Sequence, residues 1–132
     1  MTSNFRKVLC GFLGLAAMSF LLSCASTQQS MARTKAGFDE VWKACIDSLS
    51  DVRFSASSTD PKTGLIIADS AVVGGGGAVS RLNIMVSSGA GGTEVSVKFV
   101  PPFGTVGGYG TASDYIKALQ KRIPDLAVTE AK

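Results

Sequence analysis

The sequence RLNIMVSSGAGGTEVSVKFV, residues 81–100, contains two segments in which apolar and polar positions alternate. The apolar positions are Leu82, Ile84 and Val86 in the first segment and Val95, Val97 and Phe99 in the second. Between the segments, residues 88–92 are Ser, Gly, Ala, Gly and Gly, which are typical of a hairpin loop. A period of two indicates strands with one apolar face, so this stretch predicts an antiparallel hairpin that is covered on one side.

Upstream of this hairpin, residues 52–73 predict a second pair of strands. Apolar residues recur at every second position over 52–56, and Asp-Pro-Lys-Thr-Gly at 60–64 supplies turn-forming residues. Residues 65–73 are apolar and β-branched, and the four glycines 74–77 end this strand. The predicted sheet therefore has about four strands.

Two amphipathic helices flank the predicted strands. The first has apolar residues at helical spacing, at Phe38, Val41, Trp42, Cys45, Ile46 and Leu49. The second has Tyr115, Ile116, Leu119 and Ile123 on one face, with Thr111 or Ser113 as its cap and Pro124 at its end. Both apolar stripes need cover, and the sheet offers one apolar face. We therefore expect a two-layer α+β domain over residues 37–124, with the N-terminal and C-terminal helix on one face of an antiparallel sheet.

Residues 1–23 have the organisation of a secretory signal peptide. Arg6 and Lys7 precede 15 uncharged residues (8–22), and the small Ser23 follows. This run is shorter than the roughly 20 apolar residues that a membrane span requires, which favours a cleaved signal over a transmembrane helix.

Two segments lie on either side of the predicted domain. Residues 24–36 are rich in Ser, Thr, Gln, Ala and Met and contain no bulky aliphatic or aromatic side chain, so they predict a flexible tether. Residues 125–132 are expected to form a disordered tail.

Leu21, Leu22, Ser23 and Cys24 resemble the lipobox of bacterial lipoproteins. The resemblance implies that the Cys24 thiol receives a diacylglyceryl group, that the signal is cut before Cys24, and that the new amine is acylated. Two or more acyl chains hold a protein stably on a membrane. Ala25, rather than Asp, follows the cysteine, which by the sorting rule of Gram-negative lipoproteins implies the periplasmic face of the outer membrane.

The order of elements from Phe38 to Pro124 resembles that of small envelope lipoproteins with helix-grip-like domains, of which the C lipoprotein of the outer-membrane barrel-assembly machine is an example. The shared features are an aromatic residue and Trp42 in the first helix, a strand, a turn with Asp60 and Gly64, and a closing helix. The resemblance implies a binding or scaffolding module without catalysis, with another envelope protein as partner.

Composition argues against several functional classes. The chain has no histidine, which is the commonest metal ligand and the side chain most used for proton transfer. Its three cysteines form no CxxC pair, which argues against a zinc site. Loss of Arg6 and Lys7 with the signal leaves the remaining basic residues nearly balanced by 10 acidic ones, which argues against nucleic-acid binding. We expect no cofactor and no metal. The alternatives to a binding or scaffolding module are a hydrolase-type enzyme and a purely structural surface protein.

Three loop features are candidates for binding. Gly74–Gly77 could hold a phosphate, but the Lys and Ser/Thr of a P-loop are missing, which favours a flexible connection. Gly107–Gly110 could likewise present backbone amides to an anion at the start of the second helix, but it lacks the GxGxxG spacing of dinucleotide-binding loops. In the long loop 101–111, the side chains that could contact a partner protein are Phe103, Val106 and Tyr109. The alternative is a loop that only connects its neighbours.

Cys45 and Asp69 each have a structural interpretation. Cys45 lies on the apolar stripe with Trp42 and has no histidine to activate it, so we expect both side chains in the core. Asp69 lies in an apolar strand and is expected on the solvated face, opposite a basic residue such as Arg81 or Lys98.

Overall fold

The computed structural model describes residues 28–70, 79–102 and 111–129, which form an antiparallel sheet and two helices. The strands are β1 (Gln29–Thr34), β2 (Phe54–Asp60), β3 (Leu65–Ser70), β4 (Arg81–Gly89), β5 (Gly92–Val100) and β6 (Ala127–Thr129), and the helices are α1 (Phe38–Leu49) and α2 (Thr111–Arg122). Their order in the sheet is β2-β3-β4-β5-β1-β6. The α+β class is confirmed, but the sheet has six strands rather than about four.

The predicted hairpin is formed by β4 and β5. Leu82 pairs with Phe99 and Ile84 pairs with Val97, and all four side chains are buried. The ladder continues to the pair of Gly89 and Gly92, so the connecting turn is shorter than the predicted loop. Residues from both helices belong to the same buried cluster as this face of the sheet, so the core lies between the sheet and the helices.

The prediction of a flexible tether over residues 24–36 is wrong for Gln29–Thr34, which form β1. This strand pairs antiparallel with β5, and Ala32 lies opposite Val95 with both side chains buried. Because β1 contributes little apolar bulk of its own, its order depends on the backbone ladder with β5. Residues 24–27, including the predicted lipidation site Cys24, lie outside the described residues.

The prediction of a disordered tail over residues 125–132 is wrong for residues 125–129. The Asp125 carboxylate accepts hydrogen bonds from the Thr34 hydroxyl (2.8 Å) and the Lys35 backbone N–H (3.1 Å). The hydrogen bond from Thr34 is the main cause that lowers the pKa of Asp125. Leu126 is buried, and Val128 of β6 pairs with Ala32 of β1. Residues 130–132 lie outside the described part of the chain.

Leu126→Ala should lower the free energy of unfolding by about 2 kcal/mol, because the leucine is only 3% exposed and its loss leaves a cavity. Val128→Ala is the matched control, since Val128 is 49% exposed and its truncation should cost less than about 0.5 kcal/mol. Urea denaturation followed by circular dichroism measures both. Equal effects of the two substitutions would contradict the position assigned to Leu126.

Helix α1 buries a stripe that is shifted from the predicted one, since Ala44 and Ser48 are buried as well. Val41, Cys45 and Leu49, spaced by four, are buried as expected. Ile46, expected on the buried stripe, is 36% exposed. Trp42 is half-buried rather than central in the core, and its ring stacks on Phe38 with centroids 5.7 Å apart. Within the described residues, no helix is long and apolar enough to cross a membrane.

Strand β2 forms one edge of the sheet and carries an irregularity. The alternation predicted over residues 52–56 is present only at Phe54, which is buried. Val52 belongs to a short 3-10 turn before the strand, and Ala56 is exposed. The register with β3 shifts between Ala56 and Ser58, which is a β-bulge. At the bulge, the Ser57 hydroxyl donates a hydrogen bond to the Ile67 carbonyl oxygen (3.1 Å).

Candidate functional site

A cleft of about 510 Å³ lies at the end of the sheet where β2 and β4 begin and β3 and β5 end. We call this the cleft end, and we call the opposite end, with the turns 60–64 and 89–92, the distal end. The cleft is lined by polar and apolar side chains together: Asp51, Val52, Arg53, Phe54, Ser70, Ser80, Phe99, Thr111 and Asp114. Strand β1 also begins here, since Phe99 donates its N–H to the Gln28 carbonyl oxygen (3.0 Å).

Arg53 lies at the sharp reversal between α1 and β2. Its φ of 63° is in the left-handed region, and its N–H donates to the Ser50 carbonyl oxygen (3.2 Å). A residue with a Cβ adopts this conformation at a cost of about 1 kcal/mol. The side chain is exposed and has no ion-pair partner among the described residues. Its guanidinium is therefore free to bind an anionic group at the cleft.

Each carboxylate of the cleft has a basic neighbour. Asp51 accepts a hydrogen bond from the Arg122 guanidinium (3.0 Å), and Asp114 lies 3.8 Å from the Lys117 ammonium group one helical turn away. These contacts balance the acidic residues, which leaves the charge of Arg53 uncompensated. Among the charged residues that line the cleft, Arg53 is thus the one without an ion pair in the described parts of the chain.

The hydroxyl groups of the cleft are part of its wall. The Ser70 hydroxyl accepts a hydrogen bond from the Ser80 N–H (3.0 Å), and the Ser70 N–H donates to the Ser80 carbonyl oxygen (2.9 Å). These contacts hold the ends of β3 and β4 together beside the cleft.

Cys45 is a buried core thiol, as predicted. Burial raises its pKa to about 12, so the thiol is neutral and unreactive at pH 7. The buried Tyr115 hydroxyl donates a hydrogen bond to the Cys45 carbonyl oxygen (2.8 Å), which ties α2 to α1, and burial also raises the pKa of Tyr115. Among the described residues, no group of three or more Cys, Asp or Glu side chains is placed to hold a metal ion.

Asp69 is paired as predicted with a basic residue on the sheet face away from the core. The Arg81 side chain donates a hydrogen bond to its carboxylate (2.7 Å), which is the main cause that lowers the pKa of Asp69. Both side chains are partly exposed, so the pair is an ordinary surface ion pair.

The predicted binding residues Phe103, Val106 and Tyr109 lie outside the described residues. The same holds for both glycine-rich stretches, at 74–77 and 107–110. Among the described residues near these segments in the sequence, Ser70, Ser80, Phe99 and Thr111 line the cleft.

Sequence reasoning did not find the cleft or Arg53. The residues that line it come from five separate parts of the chain, so no local spacing connects them. The left-handed conformation of Arg53 also has no sequence signal, because glycine or asparagine is the usual residue there.

No protein-family model and no curated protein matches the chain. Among solved structures, the chain is similar to the crystal structure of DynU16, a protein of the dynemicin biosynthetic locus, with 19% identity and a TM-score of 0.43. The match covers 73% of this chain and 46% of DynU16, so the chain spans less than half the length of that protein. Similarity at this level does not assign a function.

Proposed function

We propose that the chain is a lipid-anchored protein of the bacterial cell envelope that acts by binding or scaffolding, without catalysis. The anchoring part of the proposal rests on the signal-like residues 1–23 and on the lipobox-like residues that end at Cys24. Acylated Cys24 would be the first residue of the mature chain and would hold it at the outer membrane, on the periplasmic face.

The binding part of the proposal rests on one observation, the exposed and unpaired Arg53 at a cleft whose two carboxylates already have basic neighbours. Such a site favours an anionic group on the partner. Phe99 of β5 and Thr111 of α2 line this cleft, and we propose that Phe103, Val106 and Tyr109, which come between them in the sequence, contribute to the same contact. The inert thiol of Cys45 supports a binding function over nucleophilic catalysis.

The test of this function is made in a bacterial host that produces the full chain. Cells are fed a clickable fatty acid, and we expect the wild type and Cys45→Ala to incorporate it and to fractionate with membranes. Cys24→Ser should lose the label and release the protein to the soluble fraction. Labelling that persists in Cys24→Ser would contradict the anchor.

Crosslinking of the same cells tests the binding function. Arg53→Glu should lose the crosslinked envelope partner that the wild type recovers, because it reverses the charge at the cleft. Lys62→Glu is the matched control, an equal change of charge at an exposed residue of the distal end, and it should retain the partner. Absence of any partner in the wild type, or equal recovery with both variants, would contradict a binding function of the cleft.

A further inference from the structure

Strand β6 forms an edge of the sheet, at the opposite side from the bulged strand β2. Charged residues, prolines and bulges are the devices that commonly protect an edge strand from pairing with another chain. The three residues of β6 are Ala, Val and Thr, and their pairing with β1 has no register shift. The edge at β6 is therefore open to a further strand, over a length of three residues.

The hydrogen bonds of β1 determine which backbone groups of β6 face away from the sheet. The Phe99 N–H donates to the Gln28 carbonyl oxygen, so Gln28 and every second residue after it face β5. The intervening residues Met31 and Arg33 face β6 and pair with its last and first residue. Val128, in the middle of β6, has the opposite direction, so its N–H and its carbonyl group both point away from β1.

The two backbone groups of Val128 have no partner among the described residues. The backbone groups of Leu126, two residues earlier, are satisfied within the chain, since its N–H donates to the Ile123 carbonyl oxygen (3.1 Å) and its carbonyl oxygen accepts from the Gln120 side chain (3.1 Å). The Val128 side chain, 49% exposed, is the most exposed large hydrophobic side chain in the described ranges. An open donor, an open acceptor and an exposed apolar side chain thus coincide at one residue.

A second copy of the chain supplies a strand that fits this edge. With two copies of β6 antiparallel about a two-fold axis at Val128, the N–H of each Val128 donates to the carbonyl oxygen of the other. Ala127 of each copy then lies opposite Thr129 of the other, and the two valine side chains lie side by side on one face of the joined sheet. No charged residue of β6 meets its like across the axis.

We infer that the chain forms a two-fold dimer through β6, in which the sheets of two copies join at Val128. Because this contact occupies β6 in both copies and the other edge is interrupted by the bulge in β2, the assembly closes at two copies. Three residues from each copy make a small interface, which is typical of a weak dimer that requires a high local concentration. The pairing does not depend on the lipid, but the proposed anchor would favour it by confining the copies to one surface.

The dimer is compatible with an anchor on each copy. The two β1 strands run antiparallel in the joined sheet, so the two copies of Gln28 lie towards opposite ends of it. With the two-fold axis normal to the membrane, both lie at the same height, and each is four residue steps from its own Cys24. Strand β6 does not line the cleft, so the dimer leaves the cleft of each copy open to its partner.

Disulfide trapping tests the pairing in a bacterial host that produces the full chain with Val128→Cys or Thr59→Cys. Thr59 is the matched control, an exposed β-branched residue of the opposite edge strand. Mild oxidation should convert severalfold more of the Val128→Cys chain into a linked dimer, because the Cα atoms of a hydrogen-bonded pair lie about 5.5 Å apart, within the range of disulfides. Cys45 is buried, and the chain without an introduced cysteine reports any dimer formed through Cys24. Equal yields at the two positions would overturn the inference.

Val128→Pro tests the hydrogen bonds of the edge. Proline removes the N–H at position 128, and because this N–H faces away from β1, the monomer loses no hydrogen bond of its ladder. Val128→Thr is the matched control, since it keeps the N–H and a similar shape. Two differently tagged copies of each variant are produced together and crosslinked with an amine-reactive reagent before lysis. Purification through one tag should recover the second tag severalfold less with Val128→Pro than with the wild type or Val128→Thr.

Two results of this experiment would contradict the dimer: no recovery of the second tag with the wild type, or equal recovery with Val128→Pro. Val128→Pro should also melt at nearly the temperature of the wild type; if it melts much lower, the disulfide yields alone decide the inference. Failure of the dimer and failure of the proposed function are distinguishable. A chain that forms the Val128→Cys dimer but takes up no clickable fatty acid contradicts only the anchor, whereas a labelled chain without the dimer contradicts only the inference made here.

Discussion

Gly64→Ala should lower the free energy of unfolding by more than about 3 kcal/mol, through left-handed strain and a lost hydrogen bond. Gly64 has φ +75° and is the last residue of the turn between β2 and β3. Its carbonyl oxygen accepts a hydrogen bond from the Val86 N–H (2.8 Å), and an added Cβ would overlap the Val86 carbonyl oxygen. Backbone of β4 would have to move to relieve this overlap, and the close contact between the turn and β4 would be lost.

Gly91→Ala is the control for this prediction. Gly91 is exposed in the β4–β5 turn, its φ is not positive, and an added Cβ would meet no atom within 4 Å. Thermal denaturation of soluble Cys24→Ser protein should give a melting temperature more than about 10 °C lower for Gly64→Ala. Gly91→Ala should leave it nearly unchanged. Similar melting temperatures for the two variants would show that the turn does not contact β4 as described.

Alkaline pH should destabilise the fold through Cys45. Burial raises the pKa of this thiol from 9.0 to about 12, so the folded protein keeps the proton that the unfolded chain releases above pH 9. The stabilising effect is fully present below pH 9 and is lost as the pH rises from 9 towards 12, at about 1.4 kcal/mol for each pH unit. Tyr115, whose pKa is also raised by burial, adds to the loss above pH 10.

Cys45→Ala isolates the contribution of the thiol. Urea denaturation at intervals from pH 8 to 10, below the range in which Tyr115 contributes, should show a downward slope for the Cys24→Ser protein and a flatter one once Cys45→Ala is added. The alanine variant starts from a lower stability because it leaves a small cavity, so the slopes rather than the absolute values are compared. Parallel slopes would show that Cys45 is accessible to water in the folded protein.

The sequence was sufficient for the elements whose own apolar pattern is strong. The alternation in residues 81–100 predicts β4 and β5, and the helical spacing of Val41, Cys45 and Leu49 predicts the buried stripe of α1. In these segments the residues that specify the local structure are also the residues that build the core.

The sequence was not sufficient for elements that are stabilised by their neighbours. Strand β1 buries only the small side chains of Ala32 and Thr34, so its pattern resembles that of a polar linker. Strand β6 has three exposed residues and is ordered through its pairing with β1 and the burial of Leu126. Each depends on partners distant in sequence, which no local window contains.

The candidate site was beyond sequence reasoning for the same reason. Asp51, Ser80 and Thr111 meet at the cleft only because the sheet order and the start of α2 bring them to one end. By contrast, the pairing of Asp69 with Arg81 was predictable, because both residues lie on adjacent predicted strands.

The bulge in β2 also has a consequence for crowded molecules. Anchored proteins share a two-dimensional surface, where neighbours meet often and an open strand edge could recruit the edge of a second copy. The register shift between Ala56 and Ser58 divides β2 into two short segments, and the Ser57 hydroxyl is held by Ile67. If the chain is anchored as proposed, an incoming strand cannot follow this edge along its length, so high surface density should not extend the sheet across β2.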